Sequence, residues 1–210
     1  MARMTRVVIV GGGPGGYEAA LVAAQLGAEV TVVDRDGLGG SCVLTDCVPS
    51  KTLIATSEVM TLAGESGELG VRLGGGAHEP GHVGVDLGVV NARVKRLASA
   101  QSDDIQARLE REGVRVVRGL GRLDGGSRVV AETADGATES FEADAILVST
   151  GARPRVVAGA EPDGERILTW EQVYDLESLP ERLVVVGSGV TGAEFASAYN
   201  ALGSDVVLVS

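Results

Sequence analysis

Residues 5–34, TRVVIVGGGPGGYEAALVAAQLGAEVTVVD, read as strand, glycine turn, helix and strand. Thr5 to Val10 is a short β-branched run, Tyr17 to Ala28 is alanine- and leucine-rich, and Glu29 to Asp34 is a second β-branched run. Two short strands joined through a helix form a parallel βαβ opening. Between the first strand and the helix stands Gly11-Gly12-Gly13-Pro14-Gly15-Gly16, with the spacing GxGxxG. Glycines there let backbone amides and the positive end of a helix come close to a pyrophosphate. Asp34 ends the second strand 23 positions after Gly11, where a carboxylate can accept hydrogen bonds from the hydroxyls of an adenosine ribose. Strand, turn, helix and terminal acid together make this a dinucleotide site.

The same pattern returns at residues 182–210, RLVVVGSGVTGAEFASAYNALGSDVVLVS, displaced by the 176 positions that separate Gly11 from Gly187. Gly187, Gly189 and Gly192 supply the spacing, but the position matching Asp34 is Ser210. A carboxylate would repel a 2'-phosphate, so its absence leaves both NAD and NADP open at this second site. Two such openings suggest two dinucleotides that exchange hydride, a flavin and a nicotinamide.

Between the openings the pattern predicts a helix after Pro49, a glycine-rich loop from Gly64 to Gly84, and a long polar helix over about 89–112. VRVVRG, SRVVAET and TESFEA then read as a small antiparallel meander, and ADAILVSTGARP as a return to a buried parallel strand. The domain expectation is 1–155 for the first nucleotide-binding domain, with 156–210 as linker and the first βαβ segment of a second, truncated one. The expected fold class is α/β: a Rossmann-like domain carrying a three-stranded antiparallel meander, followed by the start of a second Rossmann-like domain, the first expected as FAD-binding and the second as NAD(P)-binding on the resemblance given below.

The net charge of −11 is spread along the chain without a basic stripe, which argues against nucleic acid or an anionic membrane surface as partner. Apolar runs are far too short for a bilayer span, and MARMTR lacks the apolar core of an export signal, so a cytoplasmic location is expected. In a reducing compartment two cysteines are more often catalytic than a structural staple. Cys42 and Cys47 stand in GGSCVLTDCVPSKT, with Lys51 one helical turn beyond. Zinc is the poorer reading, since no second cysteine pair exists and His78 and His82 fall in the glycine-rich loop; no metal site is expected. In an ideal helix residues five apart have Cα atoms about 8.6 Å apart, too far for a disulfide, so a reactive pair needs a distorted turn. Pro49 suits a first helical turn and puts Cys47 near a helix start.

The amino-terminal GxGxxG, the GGSCx4CxPSK stretch, the Thr150-Gly151 strand end in TGARP and the central GxGxxGxE occur in one order. In these four motifs the chain resembles the pyridine nucleotide-disulfide oxidoreductases, nearest to the dihydrolipoamide dehydrogenase group and its NAD(P)H:quinone reductase-like branch. The resemblance implies FAD and NAD or NADP as cofactors, and a small-molecule disulfide, dithiol or quinone as substrate. Cys42 would be the interchange thiol and Cys47 the thiol against the flavin, the two forming a redox-active disulfide. Lys51 would sit by the flavin and pair with Glu194, from the second motif. Gly11, Gly13, Pro14, Gly16, Asp34, Arg35, Gly40, Ser41, Cys42, Lys51, Thr150 and Gly151 would hold FAD, with Gly121 near adenine. Gly187, Gly189, Gly192, Glu194 and Ser210 would face the nicotinamide dinucleotide. Leu44 and Asp46 depart from the family's usual Asn and Gly, which bears on the substrate rather than on the flavin. An acid-base His-Glu dyad and a homodimer interface would lie beyond residue 210, so His78 and His82 are expected as loop surface. The alternative is a quinone reductase without thiol turnover, or a FAD-binding redox-sensing module.

Overall fold

In the computed structural model, which describes residues 3–71 and 83–210, the chain divides into two compact units. One comprises Met1–Thr45 with Ala98–Arg155, the other Asp46–Leu97 with Val156–Ser210. His78 and His82, with most of the glycine-rich loop, lie outside the described residues.

The first unit is built on a six-stranded sheet of order β5-β4-β3-β2-β1-β6. Its strands are β1 (Arg6–Val10), β2 (Glu29–Asp34), β3 (Arg115–Leu123), β4 (Arg128–Thr133), β5 (Thr138–Glu142) and β6 (Ala145–Val148). Strands β3, β2, β1 and β6 run parallel, with Val8 opposite both Thr31 and Ile146. β3 continues past Gly119 into antiparallel pairing with β4, which pairs with β5. This is the expected α/β fold with a meander, but the run VRVVRG expected in the meander pairs in parallel with β2 as far as Arg118, and the antiparallel pairing begins at Gly119, so one strand belongs to both halves of the sheet.

Strand periodicity sorts the apolar residues onto two faces. Ile9, Val30 and Val32 pack with Ala20 and Leu21 of α1 (Pro14–Gln25) and with Leu109 of α4 (Leu87–Arg111). Val8, Val10 and Val33 pack on the other face with Val117, Val129 and Ala131. Burial on both faces explains why β1 and β2 read as continuous apolar runs. β6 is parallel as expected but not buried: Leu147 is 38% and Val148 56% exposed, because β6 forms one edge of the sheet.

In the second unit α3 (Cys47–Glu65) and α5 (Val190–Leu202) pack together beside the parallel pair β7 (Arg182–Val186) and β8 (Asp205–Val209). Leu53, Phe195, Ala198, Tyr199 and Leu202 form the centre of its core, joined by Leu87 and Val94 from the start of α4 and by Tyr174 from a 3-10 turn, Gln172–Asp175. Helix α3 begins two residues before Pro49, which becomes its third residue, and α4 begins at Leu87 rather than near 89.

Candidate functional site

The first glycine turn is shaped by close backbone approach. Gly11 has φ +104°, its N–H donates to Val33 O at 2.8 Å, and a Cβ on it would overlap Ser149 O. Gly13 caps α1 with Pro14 at its first position, and a Cβ on Gly16 would collide with Gly11 O. Gly40, the first residue of α2 (Gly40–Leu44), packs so near that its Cβ would stand 2.9 Å from Gly13 Cα. The turn is therefore bare backbone at the head of a helix, which fits a pyrophosphate.

Asp34 does more than the spacing indicated. Its Oδ2 accepts the Gly12 N–H at 2.7 Å, and its Oδ1 accepts the N–H of Asp36 at 3.0 Å and of Gly37 at 2.7 Å. The carboxylate ties the glycine turn to the chain after β2 and keeps one lone pair of Oδ2 for a further donor. Arg35, by contrast, is taken up by its neighbour, its guanidinium donating twice to Asp36 at 2.8 Å. That contact holds the Asp36 carboxyl below the ordinary range. Gly121 has a packing reason of its own, since a Cβ there would lie 2.9 Å from Val10 Cγ1 and 3.2 Å from Val33 Cγ1. Thr150 and Gly151 follow β6 in exposed positions; a Cβ on Gly11 would come within 3.0 Å of Thr150 N, so this strand end adjoins the first turn. Ser41 is exposed on α2 and Cys42 half-buried beside it.

The second turn repeats the first. Gly187 has φ +111° and donates to Val209 O at 2.8 Å, Gly189 caps α5, and a Cβ on Gly192 would strike Gly187 O. Where Asp34 binds the Gly12 amide, Ser210 Oγ instead meets Ser188 Oγ at 2.6 Å. A neutral hydroxyl pair replaces the carboxylate at the equivalent place.

Between Cys42 and Cys47 the helical path breaks: α2 ends at Leu44, and Asp46 takes φ −125° and ψ −96° before α3 starts at Cys47. The distortion that the spacing demanded is present. Cys47 is exposed at the first position of α3. One turn on, Lys51 Nζ donates to Glu194 Oε1 at 2.5 Å, joining α3 to α5. Hydrogen bonds from Lys51, and then from Ser50, hold the Glu194 carboxyl below its usual range, while the Lys51 ammonium is pushed upward by the same bond. Sequence reasoning missed Ser50, which is buried and faces Glu194, and the bond from Thr191 Oγ1 to Asp46 Oδ1 at 3.2 Å. Nothing local marks either, because the partners are more than 140 positions apart. Asp46–Thr191 and Lys51–Glu194 ascend both helices in the same sense, so α3 and α5 start at one end. In the second unit Cys47, Lys51, Glu194 and the Gly187–Gly192 turn thus share that end.

The family model for pyridine nucleotide-disulphide oxidoreductases matches residues 5–210. An NAD(P)H dehydrogenase (quinone) of Mycobacterium tuberculosis is 51% identical across 99% of this chain and 43% of its own length. A dihydrolipoyl dehydrogenase of Chlorobaculum parvum is 38% identical across 97% of the chain and 42% of its length. The crystal structure of LpdA from Mycobacterium tuberculosis superposes with a TM-score of 0.88 at 50% identity, covering 98% of this chain and 44% of that one. The flavoprotein disulfide reductase RclA from Escherichia coli, as a cysteine-to-serine mutant with Cu(II), is 19% identical; it covers 99% of this chain and 42% of that one with a TM-score of 0.79, a likeness of fold alone. The chain spans less than half the length of these relatives. With both glycine turns, the broken helix at Cys47 and the Lys51–Glu194 pair in place, the chain belongs to the pyridine nucleotide-disulphide oxidoreductase family.

Proposed function

We propose that this chain is the FAD-holding and nicotinamide-recognising part of an oxidoreductase that passes electrons between NAD(P)H and a small disulfide or quinone. The observation that carries the proposal is the Lys51–Glu194 pair one turn beyond Cys47, on helices that begin at the same end as the second glycine turn. A flavin, when bound, would supply the hydride chemistry that links the nicotinamide to the cysteine pair or to a quinone. The first turn, Gly11 to Gly16, would hold its pyrophosphate on the amides at the head of α1, and the spare lone pair of Asp34 would take a ribose hydroxyl. Gly40, Ser41, Thr150 and Gly151 would flank that group, whereas Arg35, tied to Asp36, and Gly121, turned to the sheet core, have reasons of their own. Lys51 keeps a fixed positive charge, which Glu194 orients rather than neutralises by proton transfer. Cys42 and Cys47 would cycle between dithiol and disulfide as they pass an electron pair to or from a substrate disulfide. The acid-base partner, the homodimer interface and the cytoplasmic location belong to the same proposal. Among the described residues no helix is long and apolar enough to cross a membrane.

A second reading is favoured by the 51% identical relative named a quinone dehydrogenase: hydride would reach a quinone directly, without thiol turnover. The full-length protein should purify yellow, and a preparation that stays colourless after FAD addition refutes the flavin assignment. Dihydrolipoamide and a simple quinone, compared in steady state with Cys42→Ser and Cys47→Ser, separate the two readings. Disulfide or dithiol turnover should vanish in either variant while quinone reduction persists; full disulfide turnover in both makes the cysteines bystanders.

A further inference from the structure

Asp46 occupies the N-cap of α3, where a carboxylate ordinarily folds back to accept an N–H from the first helical turn. Here it makes no such bond, and its Oδ1 accepts the Thr191 hydroxyl of α5 instead. Pro49 contributes to this choice, because the third helical residue supplies the N–H that a cap most often takes and proline has none. Thr191 lies three residues before Glu194, so the two project from one face of α5. Asp46 meets the first and Lys51 the second. The Asp46 charge also lies within reach of Lys51 and of the buried Tyr174 hydroxyl.

We infer that Asp46 and Thr191 are positioning residues for Cys47: Thr191 draws the carboxylate towards α5 and away from the first turn of α3, leaving the exposed thiol in the positive field of an uncapped helix end. The alternative place for that carboxylate is the cap position beside Cys47, where its negative charge would oppose formation of the nucleophilic thiolate. This inference rests on the reading of Cys47 as a reactive thiol.

Its signature is a pair of opposite effects. Threonine loss frees the charge to fall back towards Cys47, whereas amide substitution of Asp46 removes the charge. In the flavin-loaded full-length protein carrying Cys42→Ser, the rate of iodoacetamide alkylation at Cys47 is followed at neutral pH by mass spectrometry of the peptide that bears it. Thr191→Val should slow alkylation, and Asp46→Asn should speed it, each by about two- to fivefold, the scale of one charge acting at a helix end. Thr191→Ser should restore the parent rate. In Asp46→Asn the further change Thr191→Val should have no effect, as a closed mutant cycle requires. Both single variants moving in one direction, or Thr191→Val leaving the rate unchanged, overturns the inference while the reactive-thiol reading stands. A Cys47 that stays inert in the parent protein both with flavin bound and after its removal overturns that reading and the inference with it.

Discussion

Replacing Asp34 by asparagine tests whether this acid is only a ribose acceptor or also a brace for the first glycine turn. The two oxygens accept three backbone N–H groups, from Gly12, Asp36 and Gly37, and two of these bonds are partly buried. An amide offers one oxygen and one NH2. Whichever way it faces, its NH2 points at a backbone donor, either Gly12 N–H or the Asp36 and Gly37 pair. Hydrogen bonds to a charged acceptor contribute about 1.5–3 kcal/mol each. The bond from Asp36 is exposed, and water takes over much of it. Losing one of the partly buried bonds and facing a donor with a donor should cost about 2–3 kcal/mol even without any cofactor. Calorimetry of the flavin-free full-length protein should show Asp34→Asn melting lower, by the shift that about 2–3 kcal/mol at the melting temperature implies. The flavin-loaded variant should lose more, through weakened FAD retention. A flavin-free Asp34→Asn that melts with the parent would refute the brace and leave only the ribose role.

Glu194→Gln should lower stability by an amount that is constant across neutral pH, because both members of its ion pair keep their charges there. The depressed Glu194 contributes fully above the ordinary value of 4.5 and loses that contribution as pH falls through its lower folded value, so the difference between variant and parent should shrink only in acid. Denaturant titrations over that range give the profile, and a difference that fades between neutrality and about pH 6 would contradict the pairing. Tyr199 is fully buried, and its hydroxyl has no hydrogen-bond partner among the described residues. Burial pushes it up to about 12 from 10.0. Its stabilising neutral form is fully present below pH 10.0 and is lost as pH rises towards about 12. Tyr199→Phe should therefore be neutral or stabilising by about 1 kcal/mol at pH 7, and should blunt alkaline unfolding. A loss of stability at neutral pH would reveal a bond to that hydroxyl. Ser210→Asp in the full-length enzyme should move kcat/KM towards NADH over NADPH by at least about tenfold, or ~1.4 kcal/mol. An unchanged ratio would remove this position from cofactor choice.

The strands of the first βαβ unit were legible within a residue because their signals are local, β-branched runs flanking a glycine turn, but the helix expected over 17–28 starts and ends three residues earlier, at Pro14 and Gln25. The second was legible as its copy. Lys51 and Glu194, 143 positions apart, came together only through the family resemblance, and spacing alone carries no such distance. The run VRVVRG read as a strand ending at Gly119, but β3 continues through Gly119 and Gly121 to Leu123. A Cβ on Gly119 would stand 2.6 Å from Glu132 O, so these glycines mark close packing against neighbours that sequence does not reveal. The run Ala145 to Val148 is as apolar as β1, yet it lies at a sheet edge with Val148 56% exposed; hydrophobicity predicted the strand but not its neighbours. The extra acceptors of Asp34 were hidden for a similar reason, since they depend on how the chain turns after β2.

The double membership of β3 bears on the order in which the first unit assembles. Its antiparallel half meets β4 across a short connection, with Leu123 opposite Val129, whereas its parallel half pairs Thr31 with Arg115 and β1 pairs Val8 with Ile146. Loop-closure entropy rises with the length of chain enclosed, so the hairpin is the cheaper structure to begin with. The central strands must wait for partners that arrive after residues 46–97 have been made, and these belong to the other unit. During synthesis β1 and β2 therefore emerge as an apolar pair with two unsatisfied edges until β3 and β6 dock. High contact order concentrates there the slow steps of folding and the exposure to aggregation. The meander is the element that can form early, and β3 carries that early structure directly into the parallel sheet.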